Sequence, residues 1–428
     1  MAAVFPPSRP LVALALLLLA GCGARAQPPR REPAPASVSG EADVSPRDEL
    51  QPPPPEPEPD AAPAPPADED APPPAPGRVS ERSPGAQIGV LLPLSGRAAR
   101  LGTSLAAALA AARGAETDPG PSLVVRDATD EPGAAARALL EQTEVAGLVA
   151  VADRAGADAI VEATAEAGKP VVLLTAAESA LSHPGRIWRA LHTPALVVRT
   201  AAGVGLARGG RTALVLRPRT PAAEALANLF HAAWAAGGGQ IAGEVDYDPA
   251  KPDWKAVAGQ IAALSGDTLF LPDTALNAAQ ALATLASKDI WARGDGARFG
   301  KSRVRELVVL GTPDWYAPEV ARQSGRYFEG ALFPVPFAVE SVAGARLAAR
   351  FRASGRPAPT ALDALLWEAV LALDQAARRA TAEGIGVASA LARIRSAEAT
   401  VGLAFEMSDA VQSLFVLTVR DGRYTAAK

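Results

Sequence analysis

The sequence predicts a two-lobed α/β protein, each lobe a parallel sheet with helices on both faces, carried behind a long segment that does not fold. Three observations lead there. Short apolar strands alternate with helical stretches across residues 88–311. That alternation means parallel strands buried on both faces. The rhythm breaks once, over "AAESALSHPGRIWRALHT" (176–193), and then restarts, so two doubly wound runs are expected rather than one. Finally, residues 23–85 hold 19 of the chain's 40 prolines and lack aromatics. Such a segment cannot bury enough apolar surface to offset the entropy of ordering it.

The chain opens with a leader, residues 1–21. Arg9 supplies a weak positive start, and Leu11 to Ala20 form an apolar core. That core is too short for a bilayer, which needs about 20 apolar residues. Leu19-Ala20-Gly21 then ends it with small residues, as a peptidase requires. Cys22 is the only cysteine in 428 residues, so it has no internal disulfide partner. Leu19-Ala20-Gly21-Cys22 resembles the bacterial lipobox. The resemblance implies cleavage before Cys22, lipid attachment at its sulfur, and a membrane anchor without a transmembrane helix. Residues 22–85 are then the lipidated cysteine and a disordered linker. As a semi-extended polyproline chain at ~3.1 Å per residue, residues 23–85 reach at most roughly 200 Å.

The folded part spans residues 86–428, long enough for two cores. The first run places strands at Ile88–Leu94, Ser122–Asp127, Gly147–Ala152 and Pro170–Thr175. Helices lie between them at Gly102–Arg113, Gly133–Glu141 and Ala157–Gly168. The second run begins with a helix, Pro194–Arg208, before a strand at Thr212–Arg217. It continues with helix Pro221–Ala236, strand Gln240–Tyr247, helix Trp254–Leu264, strand Thr268–Leu271, helix Ala275–Ser287 and strand Glu306–Gly311. Ligands in such sheets sit beyond the carboxyl ends of the strands.

Composition narrows the function. The net charge is −4 with both signs interspersed, so no basic stripe points to nucleic acid. Aromatics are only 5%, which leaves few stacking platforms. There is no GxSxG elbow, and no serine has a lysine three positions on. "GVGLARGG" (203–210) lacks the third glycine of a dinucleotide loop and falls in a helical stretch. His183, His192 and His231 show no metal-ligand spacing. The expectation is a protein that binds rather than catalyses, with no cofactor or metal.

Longer stretches carry a family resemblance. "IGVLLPLSGRAARLGTSLAAALAAA", "AEAGKPVVLLTAAESAL", "LVVLGTPDWYAPEVARQSGRYFEGALFPVPF", "PTALDALLWEAVLALDQAA" and "VQSLFVLTVRDGRY" occur in that order. Together they resemble the Leu/Ile/Val-type periplasmic binding proteins across nearly all of 86–428. The resemblance implies a type I fold with a three-segment hinge near 191, 333 and 400. Lobe 1 would cover about 86–191 and 334–400, and lobe 2 about 192–333 and 401–428. The same fold occurs in outer-membrane lipoproteins that activate penicillin-binding proteins. Two functions therefore stay open: a solute-binding protein that serves an ABC permease, or an interaction protein for a cell-wall synthase. Gly23 behind Cys22 favours the outer membrane.

Members that bind amino acids hold the ligand carboxylate with hydroxyls and helix N-terminal N–H groups. A carboxylate and an aromatic meet the ammonium. Carried onto this sequence, the implied ligand set is Ser95, Arg154, Thr175, Glu178, Ser179 and Asp314. The sequence departs from the pattern in places. Asp153, Arg154 and Ala155 stand where serines are expected, and Glu178 replaces a small residue. The second lobe's two cleft aromatics fall at Pro221 and near Asp273-Thr274, and so are lost. Arg154 remains able to pair a carboxylate, and Asp314 lies beside Trp315 and Tyr316.

Overall fold

The computed structural model describes residues 86–427 apart from 115–119, 295–303, 396–399 and 412. The leader, Cys22 and the Pro-rich segment lie outside the described residues.

The first sheet holds β1 (Gln87–Leu92), β2 (Ser122–Asp127), β3 (Val145–Val151), β4 (Val171–Leu174) and β5 (Ile187–Arg189), all parallel in the order β2-β1-β3-β4-β5. Every residue of β3, VAGLVAV, is buried, as a central strand covered on both sides must be. The two-residue period of a strand divides its side chains between two cores. Val149 and Val151 join a cluster with α1 (Ala99–Arg113) and the long helix α10 (Ala361–Glu383). Leu148 and Ala150 face α2 (Pro132–Leu140) and α3 (Arg154–Thr164). β5 lies inside the stretch read above as irregular. At three residues, IWR, it is too short to show any period.

The second sheet repeats the plan with β6 (Thr212–Pro218), β7 (Gln240–Tyr247), β8 (Thr268–Phe270), β9 (Ile290–Ala292) and β10 (Arg305–Leu310), in the order β7-β6-β8-β10-β9. Around it lie α4 (Pro194–Ala207), α5 (Pro221–Ala236), α6 (Trp254–Ala263) and α7 (Ala275–Ala286). Thr193, Thr220, Asp253 and Thr274 cap these four helices with side-chain oxygens. On one face Phe230 stacks on Phe270 at 4.2 Å and on Trp234 at 5.3 Å. After α8 (Pro318–Phe328), a small antiparallel sheet follows, made of β11 (Phe333–Val335), β12 (Phe415–Arg420) and β13 (Arg423–Ala426).

Three passages join the lobes. The first runs from Ala190 into α4. The second falls at about 336–341, where Phe337 enters the first core and Ala338 the second. α9 (Val342–Ala353), α10 and α11 (Val387–Leu391) then complete the first lobe. The third passage comes later than expected. Val401, Leu403, Phe405, Ala410 and Val411 all pack into the first core, whereas Leu417 and Val419 of β12 belong to the second. The chain therefore crosses between 411 and 415 rather than near 400.

Two anchors explain the delay. Glu368 of α10, fully buried, accepts the N–H groups of Thr400 (2.7 Å) and Val401 (2.9 Å). Trp188 Nε1 donates to the Phe405 carbonyl at 3.0 Å. The first passage is tied to the same segment. Arg189 pairs Asp409 through two bonds of 2.6 and 2.7 Å, and Arg189 N–H donates to the Ser408 carbonyl at 2.7 Å.

This connectivity orients both sheets. β5 ends at Arg189, and the chain leaves for the second lobe from that carboxyl end. α4 then runs back to the amino end of β6, so its start lies at the carboxyl end of the second sheet. Both sheets thus present their carboxyl ends to the passages. Among the described residues, no helix is long and apolar enough to cross a membrane.

Candidate ligand site

The site builds from the loops that follow the strands. After β1, Leu94 N–H donates to Asp127 Oδ1 at 2.9 Å, and Ser95 N–H donates to Thr129 Oγ1 at 3.2 Å. Thr129 Oγ1 in turn donates to Asp127 Oδ1 at 2.6 Å. The hydroxyls of Thr129 and then Ser95 hold the Asp127 carboxyl well below the usual carboxylate range. Ser95 is therefore engaged in a loop lock. After β3, Asp153 Oδ1 accepts Gly156 N–H at 2.9 Å and caps α3, while Arg154 is exposed at the first position of that helix. After β4, Thr175 is buried and its Oγ1 accepts Ala177 N–H at 3.1 Å. Ser179 donates its hydroxyl to Asp158 on α3, and Glu178 is exposed. The structure thus brings the expected first-lobe residues to the carboxyl edge of one sheet, where Ser179 gives its proton to Asp158 and Thr175 serves only as an acceptor.

The second lobe contributes two adjoining loops. After β8, Leu271 N–H donates to the Leu310 carbonyl at 2.9 Å, which sets the loop against the end of β10. After β10, Trp315 is fully buried and its Nε1 donates to the Asp273 carbonyl at 3.0 Å. Gly311 makes this packing possible, because a Cβ there would sit 2.3 Å from the Trp315 ring. The indole thereby fixes Asp273 and Asp314 as neighbours. Asp273 is only 7% exposed. Its Oδ1 accepts Thr274 N–H at 2.6 Å and Asn277 Nδ2 at 3.1 Å, while its Oδ2 has no hydrogen-bond partner among the described residues. Burial, with the Asp314 charge adding to it, raises the Asp273 carboxyl. Asp314 is open to solvent on one side, yet the protein packed around it raises its carboxyl too. Its Thr312 Oγ1 contact is long, at 3.5 Å.

Tyr316 links this loop to the second passage. Its hydroxyl donates to Glu340 Oε2 at 2.7 Å and accepts Val339 N–H at 3.2 Å, and burial raises its pKa. Asp273 is absent from the ligand set expected from the sequence, which marked its position only by a missing aromatic. The available signal was an acidic residue directly after the apolar strand "TLFLP".

Comparison with known proteins agrees with this architecture. The family model described as "periplasmic binding protein" matches residues 85–422. No curated protein matches the chain in sequence. Among solved structures, a putative branched-chain amino acid ABC transporter protein from Rhodospirillum rubrum is similar, with 21% identity and a TM-score of 0.63 over 80% of this chain and all of that one. An ABC transporter substrate-binding protein from Sphaerobacter thermophilus is 16% identical, with a TM-score of 0.52 over 79% of this chain and 95% of that one. Another, from Desulfitobacterium hafniense, is 18% identical, with a TM-score of 0.51 over 80% of this chain and 99% of that one. At these identities the likeness is one of fold. With its two parallel-sheet lobes joined by three passages, and with the family match running through both, the chain belongs to the periplasmic binding protein family, in its type I, Leu/Ile/Val-type form.

Proposed function

We propose that this is a solute-binding protein of the cell envelope that closes its two lobes on a small polar solute, such as an amino acid or a related amine, and passes it to an ABC permease. The observation that carries the reading is the orientation of the sheets. Both present their carboxyl-terminal loops toward the passages, where ligands of doubly wound sheets bind and where two lobes can close on one molecule. The activity proposed is binding rather than catalysis. Lipid on Cys22 would hold the protein at a membrane, the outer one on the evidence of Gly23, with the Pro-rich segment as its leash.

The test is a thermal-shift screen of the full chain against amino acids and small polar metabolites, with calorimetry on each hit. A ligand at 100 times its Kd adds about 2.7 kcal/mol of stability. The expected outcome is at least one saturable hit that also contracts the protein in small-angle scattering. Silence across the whole library would defeat the reading.

A further inference from the structure

We propose that α1 and α9 form a basic face on the first lobe, and that this face lies against a membrane surface bearing anionic phospholipid. This goes beyond the solute reading and does not depend on it.

The charge comes first. Residues 93–114 hold three arginines and residues 341–360 hold four, with no lysine and no Asp or Glu in either stretch. The two helices are more than 200 residues apart in the chain, so no basic stripe shows in the sequence. The fold sets them side by side. Leu105 and Leu109 of α1 enter the same core as Leu347 and Phe351 of α9. Arg350 Nη1 donates to the Ala112 carbonyl at 3.1 Å, and Arg356 Nη2 donates to the Ser104 carbonyl at 3.2 Å. With their apolar sides turned into one core, the two helices present their opposite sides outward together. On α9 that side is Val342, Ala345, Arg346, Ala349, Arg352 and Ala353, which recur at helical spacing and are all exposed. On α1 it carries Arg100, Thr103 and Ser104, with Arg97 one turn before.

Arg97, Arg100, Arg346 and Arg352 are exposed and form no ion pair among the described residues. The neighbouring carboxylates have other partners. Asp127 accepts from Leu94 N–H and the Thr129 hydroxyl, and Glu340 accepts from Tyr316. On α10, Asp374 and Glu383 pair Arg378 and Arg379, while Asp363 and Glu368 are buried. Glu116 and Asp118 lie outside the described residues.

Lipid fits this face better than an acidic protein does. Val342 is 72% exposed, more than any other large apolar side chain among the described residues. An apolar group set among arginines suits the headgroup boundary, where the charges meet phosphate and the apolar group meets acyl chain. The rest of the face is Ala, Ser and Thr, short enough for the guanidinium groups to reach a plane of phosphates, which they pair bidentately. A few arginines give a contact about as reversible as a single acyl chain, so the face would supplement lipid on Cys22 rather than replace it.

The experiment is vesicle co-sedimentation of the full chain carrying Cys22→Ser, which removes the lipid anchor. The vesicles are phosphatidylcholine alone, or equal parts phosphatidylcholine and phosphatidylglycerol. Binding is expected at low salt to the anionic vesicles only, and to vanish at about 0.5 M salt, where charges are screened within roughly 4–5 Å. Arg100→Glu and Arg346→Glu, one on each helix, should each weaken it by about 30-fold, since a reversal shifts two charges at roughly fivefold each. Arg137→Glu, on α2 at the other side of the sheet, makes the same change in net charge and should stay within about twofold. Equal weakening by Arg137→Glu would overturn the assignment to this face. Equal binding to both kinds of vesicle would overturn the anionic lipid. No binding to the anionic vesicles would overturn the proposal, and polyglutamate bound through Arg100 and Arg346 in their place would assign the face to an acidic protein instead.

Discussion

Glu368 offers the sharpest test of how the third passage is held. It lies fully buried on α10 and accepts from the N–H groups of Thr400 and Val401, from the Thr400 hydroxyl, and from Leu403 N–H at 3.4 Å. Replacing it with leucine keeps the volume but removes every acceptor. Three close donors then stay buried without a partner, at about 1–3 kcal/mol each. Part of that is offset, because the carboxylate no longer has to be desolvated. The net loss is about 2–4 kcal/mol. For a folded unit of about 340 residues the unfolding entropy is near 0.7 kcal/mol per kelvin, so Tm should fall by about 3–6 °C. Glu368→Gln retains one acceptor oxygen and should lose about half as much. Calorimetry measures the global effect, and amide exchange at Thr400 and Val401 measures the local one. A Glu368→Leu protein melting within 1 °C of the parent, with those amides still protected, would refute the argument.

Asp409→Asn breaks the bidentate pair with Arg189. The Asp409 side chain is 40% exposed, so water screens the pair, and the expected loss is about 1–2 kcal/mol by urea titration; an unchanged midpoint would mean that the backbone bonds alone tie the two passages. His192, in the first passage, is held down to about 4 by burial, below an unfolded value near 6.5. The folded state therefore takes its proton less readily, so stability is intact above about pH 6.5 and is lost as pH falls towards 4, by about 2–3 kcal/mol. His192→Asn should remove that part of the slope, and an identical pH profile in the variant would assign the loss to other groups. Cys22→Ser should release the protein from membranes on fractionation, and unchanged membrane retention would dismiss the lipid anchor.

Most strands and helices of both lobes were legible because strands such as β1, β3 and β4 are short apolar runs and helices such as α2, α3, α5 and α7 begin at a Pro, Asp or Thr start signal. β5 and β9, three residues each, were not legible, since their burial comes from neighbours far along the chain. The same applies to the third passage. Nothing local in residues 400–411 shows that they stay with the first lobe; Glu368 and Trp188, more than 30 residues and more than 200 residues away, hold them there.

The candidate site divides in the same way. The sequence by itself determined which loops follow the carboxyl ends of strands, because a loop's place after a strand follows from the alternation of elements. The family resemblance then named Ser95, Arg154, Thr175, Glu178, Ser179 and Asp314 as candidates in and beside those loops. Only the tertiary structure decided which of them has chemistry to spare. Ser179 donates to Asp158 and Thr175 accepts from Ala177 N–H, while Asp273 emerges as a buried carboxylate with one oxygen unpartnered among the described residues. A hydrogen-bond partner is settled by distance in space, and a residue's letter and neighbours in the chain do not carry that distance.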